Sequence, residues 1–151
     1  MESAAVAIRW TTDEGELRAA LALREEVFCR EQGVSREEEI DGRDGEAVHL
    51  VALEPGSGRV VGTLRVLSDG GTAKVGRVAV ERELRGCAIA SRMLELAIAA
   101  ARERGCERVR LTAQTRATGV YARAGFLVES EPFTEAGIEH VLMGLRLGSA
   151  E

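Results

Sequence analysis

The feature that most constrains this chain is a strand–turn–helix unit in its second half. The sequence predicts an apolar strand over Val75 to Val80 and a helix that runs to about Arg104. Between them lies the turn Arg85-Gly86-Cys87-Ala88-Ile89-Ala90-Ser91, in which most side chains are small. Small side chains leave the first N–H groups of a helix approachable, and the helix dipole adds positive potential there. The unit therefore predicts an anion site, most naturally for a phosphate group.

The turn differs from two common nucleotide-binding loops. It lacks the Gly-Lys-Ser/Thr ending that holds a triphosphate and magnesium. It also lacks the three glycines of the dinucleotide-binding fingerprint. For this segment taken alone, an ordinary tight connection between a strand and a helix stays open as the alternative.

Composition and charge exclude several classes of protein. A chain of 151 residues with 45% hydrophobic residues is typical of one globular domain, expected to span residues 1–151 with a loose tail from about residue 148. The net charge of −5 disfavours nucleic acid and anionic membranes as partners. No apolar run approaches the roughly 20 residues that cross a bilayer, and no secretion signal is evident. We therefore expect a cytoplasmic protein.

The cysteines and histidines predict neither a disulfide framework nor a metal site. Cys29, Cys87 and Cys106 are odd in number and have no paired spacing, so reduced thiols are expected. The two histidines, His49 and His140, form no ligand cluster with them in the sequence. We therefore expect no metal.

Hydrophobic periodicity predicts an α/β fold with a mixed central sheet. Asp13 and Glu16 form a capping box that starts a helix ending near Gly33. Turn sequences separate three later apolar runs, which predicts an antiparallel meander before the phosphate-type turn. The predicted strands are 6–10, 47–53, 60–67, 75–80, 109–113, 126–128 and 138–147.

The helix after the turn connects two strands of the predicted sheet. Helical spacing places Ile89, Met93, Leu96 and Ala100 on its buried face. Because a strand follows it, the unit is expected to form a parallel β–α–β crossover. A short helix over residues 118–124 is predicted next.

Two motifs in this order resemble a known family. Val78-Ala79-Val80 followed by Arg85-Gly86-Cys87-Ala88-Ile89-Ala90 is similar to a strand followed by Arg/Gln-Gly-x-Gly-x-Gly/Ala, and Tyr121 to Phe126 matches Tyr-x-x-x-Gly-Phe. Together with the order of elements, they resemble the GNAT family, the Gcn5-related N-acetyltransferases. Segments near both ends, among them Arg24 to Phe28 and Glu135 to His140, resemble its ElaA-like and YjcF-like branch.

The resemblance implies a single-domain acyl-CoA N-acyltransferase fold. It implies transfer of an acetyl group from acetyl-CoA, as co-substrate, to a primary amine by direct attack in a ternary complex. Pantetheine would lie beside one strand like an added strand, and the pyrophosphate would rest on the amides of the turn. The cofactor-binding residues implied are Val78, Ala79, Val80, Arg85, Gly86, Cys87, Ala88, Ile89, Ala90 and Ser91.

The resemblance also implies catalytic roles. Tyr121, the single tyrosine of the chain, falls at the position of the family's general acid, where its hydroxyl would protonate the departing thiolate. The base is open. His49 is the candidate catalytic base because histidine exchanges protons near neutral pH, and a structural histidine is the alternative. Glu39 and Asp41, acting through water, are also open.

The acceptor contacts implied by the resemblance are Arg24, Gln114 and His140. An ion pair on the surface is the alternative for Arg24. Ala88 stands where glycine is commonest in the family. If this position is helical, alanine fits it; if its φ is positive, the methyl group is penalised and cofactor affinity falls.

Two other functions stay open on the sequence alone, because a fold does not fix a function. One is a non-catalytic acyl-CoA-binding sensor on the same fold. The other is an acyl-homoserine-lactone synthase, whose related fold suits the meander and the Tyr-x-x-x-Gly-Phe segment less well. For the enzyme, we expect a small-molecule or protein amine as acceptor, and a monomer or a homodimer.

Overall fold

One eight-stranded sheet organises residues 6–148, the part of the chain that the structure, a computed structural model, describes. The spatial order of its strands is β1-β2-β3-β4-β5-β8-β6, with β7 paired to the first residues of β8. The predicted α/β fold with a mixed sheet is confirmed, whereas the tail expected beyond Gly148 lies outside the described residues. The strands are β1 (Ala7–Thr11), β2 (Val48–Leu53), β3 (Val60–Asp69), β4 (Thr72–Val80), β5 (Arg108–Gln114), β6 (Leu127–Val128), β7 (Phe133–Glu135) and β8 (Ile138–Arg146).

Four α-helices accompany this sheet in the described residues. Asp13 caps the first, since its carboxylate accepts a hydrogen bond of 2.9 Å from the N–H of Glu16. The predicted continuation toward Gly33 forms, but as a π-helical segment, Glu25–Glu31. Within residues 6–148 no helix has both the length and the apolar character to span a membrane. The helices are α1 (Glu14–Arg24), α2 (Arg36–Glu39), α3 (Ile89–Glu103) and α4 (Gly119–Arg123), with 3₁₀ turns at Asp44–Glu46, Arg82–Leu84 and Thr115–Ala117.

Most residues of the strands β2 and β3 are buried because both faces of the sheet are covered. Leu50 and Ala52 point into the cluster packed by α3, whereas Val51 and Leu53 pack with Ala20 of α1. Successive side chains of a strand alternate between faces, so one strand serves both cores. The helices α1 and α3 therefore lie on opposite faces of the sheet.

The buried face of α3 differs from the predicted one. Met93, Leu94 and Ala97 are buried, whereas Leu96 is 39% exposed. Ile89 lies at one edge of the buried face. Leu96, seven residues later, falls just beyond that edge and therefore lies outside the core. The prediction of Leu96 as a core residue was therefore wrong.

The sheet separates between β4 and β5. These parallel strands pair only over residues 72–74 and 108–110. On its other side, β4 carries one extra residue against β3, because Gly76 pairs with Arg65 and Ala79 pairs with Thr63. This β-bulge contains Arg77, whose φ is +53°. Beyond residue 74, β4 therefore presents an unpaired edge toward β5.

An ion-pair network holds the segment after α1 against this bulge. The buried Arg24 guanidinium lies 2.7 Å from Glu39 Oε2, and Arg77 Nε contacts the same oxygen at 2.7 Å. Glu39 belongs to α2, a helix that the sequence analysis did not predict. The Ser35 Oγ accepts a hydrogen bond from the N–H of Glu38, so a capping box signalled this helix.

Two aspartates complete the network. The hydrogen bond from Arg65 holds the pKa of the Asp41 carboxyl well below its usual range. Burial opposes ionisation of Asp44, but the hydrogen bonds and charges of Arg24 and Arg65 outweigh it and lower its pKa. Both carboxylates therefore stay ionised at neutral pH. In the same network, removing one partner of the buried Arg24–Glu39 pair would cost about 3–5 kcal/mol, because the other charge is left unpaired.

Ala88, the residue before α3, has a left-handed backbone with φ +66° and ψ +14°. The structure thus gives this position the positive φ that penalises a methyl group. We expect Ala88→Gly to raise the free energy of unfolding by about 1 kcal/mol, measured by urea denaturation. The matched control is Ala90→Gly, inside α3, which should lower it by about 1 kcal/mol. Equal destabilisation by both variants would contradict this assignment.

Candidate active site

A cleft of about 570 Å³ opens where β4 and β5 separate. Residues 75–78 of β4 and 111–114 of β5 form its walls within the sheet. Tyr121 of α4 closes one side, and the turn of the β7–β8 hairpin closes another. The opposite wall comes from the segment after α1 and includes Phe28, Gln32, Val34, Glu38, Glu39 and Asp41.

The unpaired edge of β4 offers main-chain groups to this cleft. The N–H of Glu81 bonds to the carbonyl of Val61 on β3 at 2.9 Å. Because the direction of N–H groups alternates along a strand, Ala79 also faces β3, whereas Val78 and Val80 face the gap. The carbonyl of Val80 accepts a hydrogen bond of 3.0 Å from Arg85 Nε, as expected for a group on the open edge. This edge is suited to receive an extended ligand as an additional strand.

The turn before α3 leaves several N–H groups unpaired. The amides of Arg85 and Cys87 bond within the turn, to the carbonyls of Arg82 and Leu84. The Arg85 side chain is also engaged, since its Nη2 lies 2.8 Å from Glu31 Oε1. Five amides at the start of the helix dipole are therefore available to an anion. Within residues 6–148, no hydrogen bond involves the N–H groups of Gly86, Ala88, Ile89, Ala90 or Ser91.

Tyr121 brings a protonated hydroxyl to the cleft. Its ring packs edge-on against Phe126, with centroids 6.2 Å apart. Burial raises the pKa of Tyr121 to about 12, so the hydroxyl keeps its proton at neutral pH. Within the described part of the chain, no side chain forms a hydrogen bond with this hydroxyl. The group is therefore free to donate to a ligand in the cleft.

Gln114 and His140 meet across the last strand pair of the cleft. They occupy opposite positions of β5 and β8, and both line the cleft. Gln114 Nε2 donates a hydrogen bond of 2.7 Å to Gln32 Oε1 on the opposite wall. The ring of His140 stacks on Phe133 of β7, with an interplanar angle of 21°. Two of the three predicted acceptor contacts thus lie together in the cleft.

The structure places the other two predicted residues elsewhere. Arg24 is buried in the ion-pair network and does not line the cleft. The alternative prediction, that Arg24 is an ion-pair partner, therefore describes its contacts, although the ion pair lies in the interior and not on the surface. His49 also lies outside the cleft lining, and its Nε2 is 3.0 Å from the carbonyl oxygen of Asp44. Its predicted catalytic role is therefore not supported by proximity to Tyr121.

Among the cleft residues that the sequence reasoning missed are Arg77, Phe28 and Gln32. Nothing in the sequence signals the bulge that carries Arg77 into the lining. The sequence analysis named Phe28 only as the end of a segment that carries the family resemblance. Gln32 was not named, although the predicted helix ends beside it, near Gly33. In the described ranges, no group of three or more His, Cys, Asp or Glu side chains is arranged to hold a metal ion.

Comparison with known proteins gives a consistent result. The model of the acetyltransferase (GNAT) domain matches residues 12–147. YjcF of Bacillus subtilis strain 168, described as an uncharacterized N-acetyltransferase, is 35% identical over 132 residues, covering 87% of this chain and 93% of YjcF. The resemblance to the YjcF-like branch is thereby confirmed.

Two solved structures share the fold. An acyl-CoA N-acyltransferase from Pseudomonas aeruginosa is 31% identical, with a TM-score of 0.78 over 91% of this chain and 99% of its own. Escherichia coli ElaA is 26% identical, with a TM-score of 0.79 over 91% and 99% of the two chains. Sequence, fold and site agree, and the chain belongs to the GNAT family of acetyltransferases.

Proposed function

We propose that this acetyltransferase moves an acetyl group from acetyl-CoA to a primary amine by direct attack in a ternary complex. The observation that carries the proposal is the combination of three features, two at the cleft and one in the turn that follows β4. These are the unpaired edge of β4, the hydroxyl of Tyr121 and, beyond the cleft, the free amides before α3. An elongated thioester with a pyrophosphate at its far end needs all three.

The donor would be held mainly by main-chain groups. The five free amides from Gly86 to Ser91 would receive the pyrophosphate, and Val78 and Val80 would pair with the amides of pantetheine. The 31% identity to an acyl-CoA N-acyltransferase from Pseudomonas aeruginosa supports this donor class. The acetyl group would then lie between the two separated strands.

The chemistry follows from what each group can supply there. The N–H of Val80 would donate to the thioester oxygen as it gains negative charge. The amine nitrogen forms the new bond to the carbonyl carbon, and the bond from carbon to sulfur breaks. A free thiol has a pKa of about 8.5, so the departing thiolate is stabilised when an acid protonates it. Tyr121 is the acid in the cleft.

The first prediction from this function concerns the turn. CoA at one hundred times its dissociation constant should stabilise the protein by about 2.7 kcal/mol. Gly86→Glu should abolish the thermal shift, because its carboxylate would stand where the pyrophosphate binds. Gly86 has φ +86° and open space around it, so the variant should fold with modest strain. Gly86→Gln, with the same length and strain, should keep part of the shift; equal shifts in all three proteins would overturn the turn assignment.

The second prediction separates catalysis from mere binding. Tyr121→Phe keeps the contact with Phe126 and removes the acid, so kcat should fall by about 10²–10⁴-fold. The affinity for acetyl-CoA should stay nearly unchanged, because its phosphates are held elsewhere. The measurement is thiol release from acetyl-CoA with a panel of primary amines. Full turnover in Tyr121→Phe refutes the acid assignment, and binding without thiol release by the wild type favours the sensor.

A further inference from the structure

The cleft needs a proton acceptor in addition to its acid. A primary alkylamine has a pKa of about 10.4, so at neutral pH it arrives as an ammonium without a free electron pair. Two carboxylates of the cleft lining are already in ion pairs: Glu39 with Arg24 and Arg77, and Asp41 with Arg65. Tyr121 carries its own proton. Glu38 and Glu135, which also line the cleft, are exposed carboxylates. His140 is therefore the buried side chain of the lining that belongs to the residue type suited to proton exchange near neutral pH.

The hydrogen bonding of His140 selects one ring nitrogen for this task. Its Nδ1 lies 2.7 Å from the carbonyl oxygen of Ile138. A carbonyl oxygen only accepts hydrogen bonds, so Nδ1 carries the hydrogen and donates it. In the neutral ring Nε2 then holds the free electron pair. Across residues 6–148 no hydrogen bond involves this Nε2, although the residue is only 9% exposed.

The surroundings of His140 fix the ring in place. The ring stacks on Phe133, and the cross-strand neighbour on the other side is Gln114. Gln114 is itself tied to Gln32 across the cleft. Because residues of the two neighbouring strands flank the ring, it keeps its orientation when the acceptor enters. General-base catalysis requires a base positioned in this way.

We propose that His140 is the general base of the acetyl transfer, through Nε2; this inference rests on the proposed function. The ammonium of the acceptor gives one proton to Nε2 and becomes a neutral amine, whose electron pair forms the bond to the thioester carbon. The carbon–sulfur bond breaks, and sulfur leaves with its electron pair and takes the proton of Tyr121. The phenolate recovers the second proton from the acylated nitrogen, and the imidazolium passes its proton to water.

Charged groups from every wall of the cleft contribute to the field at this base. Glu39 and Asp41 are balanced by their arginine partners, so the lining carboxylates left to favour an ammonium near Nε2 are Glu38 and Glu135. The lining groups on neighbouring elements are Glu38, Glu39, Asp41, Arg77, Tyr121 and Glu135. Arg116 adds a cation nearby, since its Nε donates a hydrogen bond of 3.2 Å to Gln114 Oε1. On β8 itself, Glu139 is engaged with the hydroxyl of Thr115.

The test is His140→Asn, because the Asn amide can still donate to the Ile138 carbonyl but lacks a base at Nε2. We expect kcat with an alkylamine at pH 7.5 to fall by about 10²-fold or more, with unchanged affinity for acetyl-CoA. The deficit should shrink as pH rises toward the pKa of the amine. It should also shrink with an arylamine, which is neutral at pH 7.5 and needs no base to free its electron pair.

The outcomes separate this inference from the proposed function. A purely structural role predicts either no loss in His140→Asn or a loss that is equal at all pH values and for both amines, and either result overturns the inference alone. If His49→Gln instead shows the loss that high pH and arylamines relieve, the base is His49. If the wild type releases no thiol with any amine, the proposed function fails and the inference fails with it.

Discussion

The brief pairing of β4 with β5 is the constraint on which the rest of the site depends. Three residue pairs join the strands, and beyond them the sheet opens. A parallel sheet would normally continue until its backbone groups are paired, because unpaired buried groups cost free energy. Here the bulge at Arg77 redirects β4 and leaves its edge without a partner strand. The cleft thus lies where strand pairing between β4 and β5 is absent, and an extended ligand can pair with the free edge of β4 there.

The ion-pair network explains how the open sheet keeps its shape. Arg77 has a backbone conformation that is unfavourable for a residue with a side chain, and its guanidinium is held by Glu39. Glu39 is held in turn by Arg24 at the end of α1. The same ion pairs fix the wall that faces the β7–β8 hairpin. Charged side chains that the sequence pattern places at the surface therefore hold buried segments together. Arg24 supports the wall of the cleft without contacting the cleft itself.

Much of the fold was readable because it depends on local signals. The meander, the crossover helix and the capping at Asp13 follow from periodicity and turn chemistry, and the structure confirms them. The position of Tyr121 at the cleft followed from a motif. Those features are encoded in short stretches of chain, where side-chain spacing alone decides the outcome.

Other features depend on contacts between distant segments. The chain has two histidines, and only the pairing of β5 with β8 brings one of them, His140, into the cleft. The bulge at Arg77 results from the register between β3 and β4, which no local pattern signals. The exposure of Leu96 depends on how α3 is rotated against the sheet. Tertiary packing decided each of these.

The most direct measurement of the central claim is residue-resolved amide hydrogen exchange with and without saturating CoA. The N–H groups of Val78 and Val80 face the gap, whereas that of Ala79 faces β3. If the ligand completes the sheet, exchange at Val78 and Val80 slows by a larger factor than at Ala79, whose protection changes only with global stability. Equal slowing at all three positions, or none, would contradict the account.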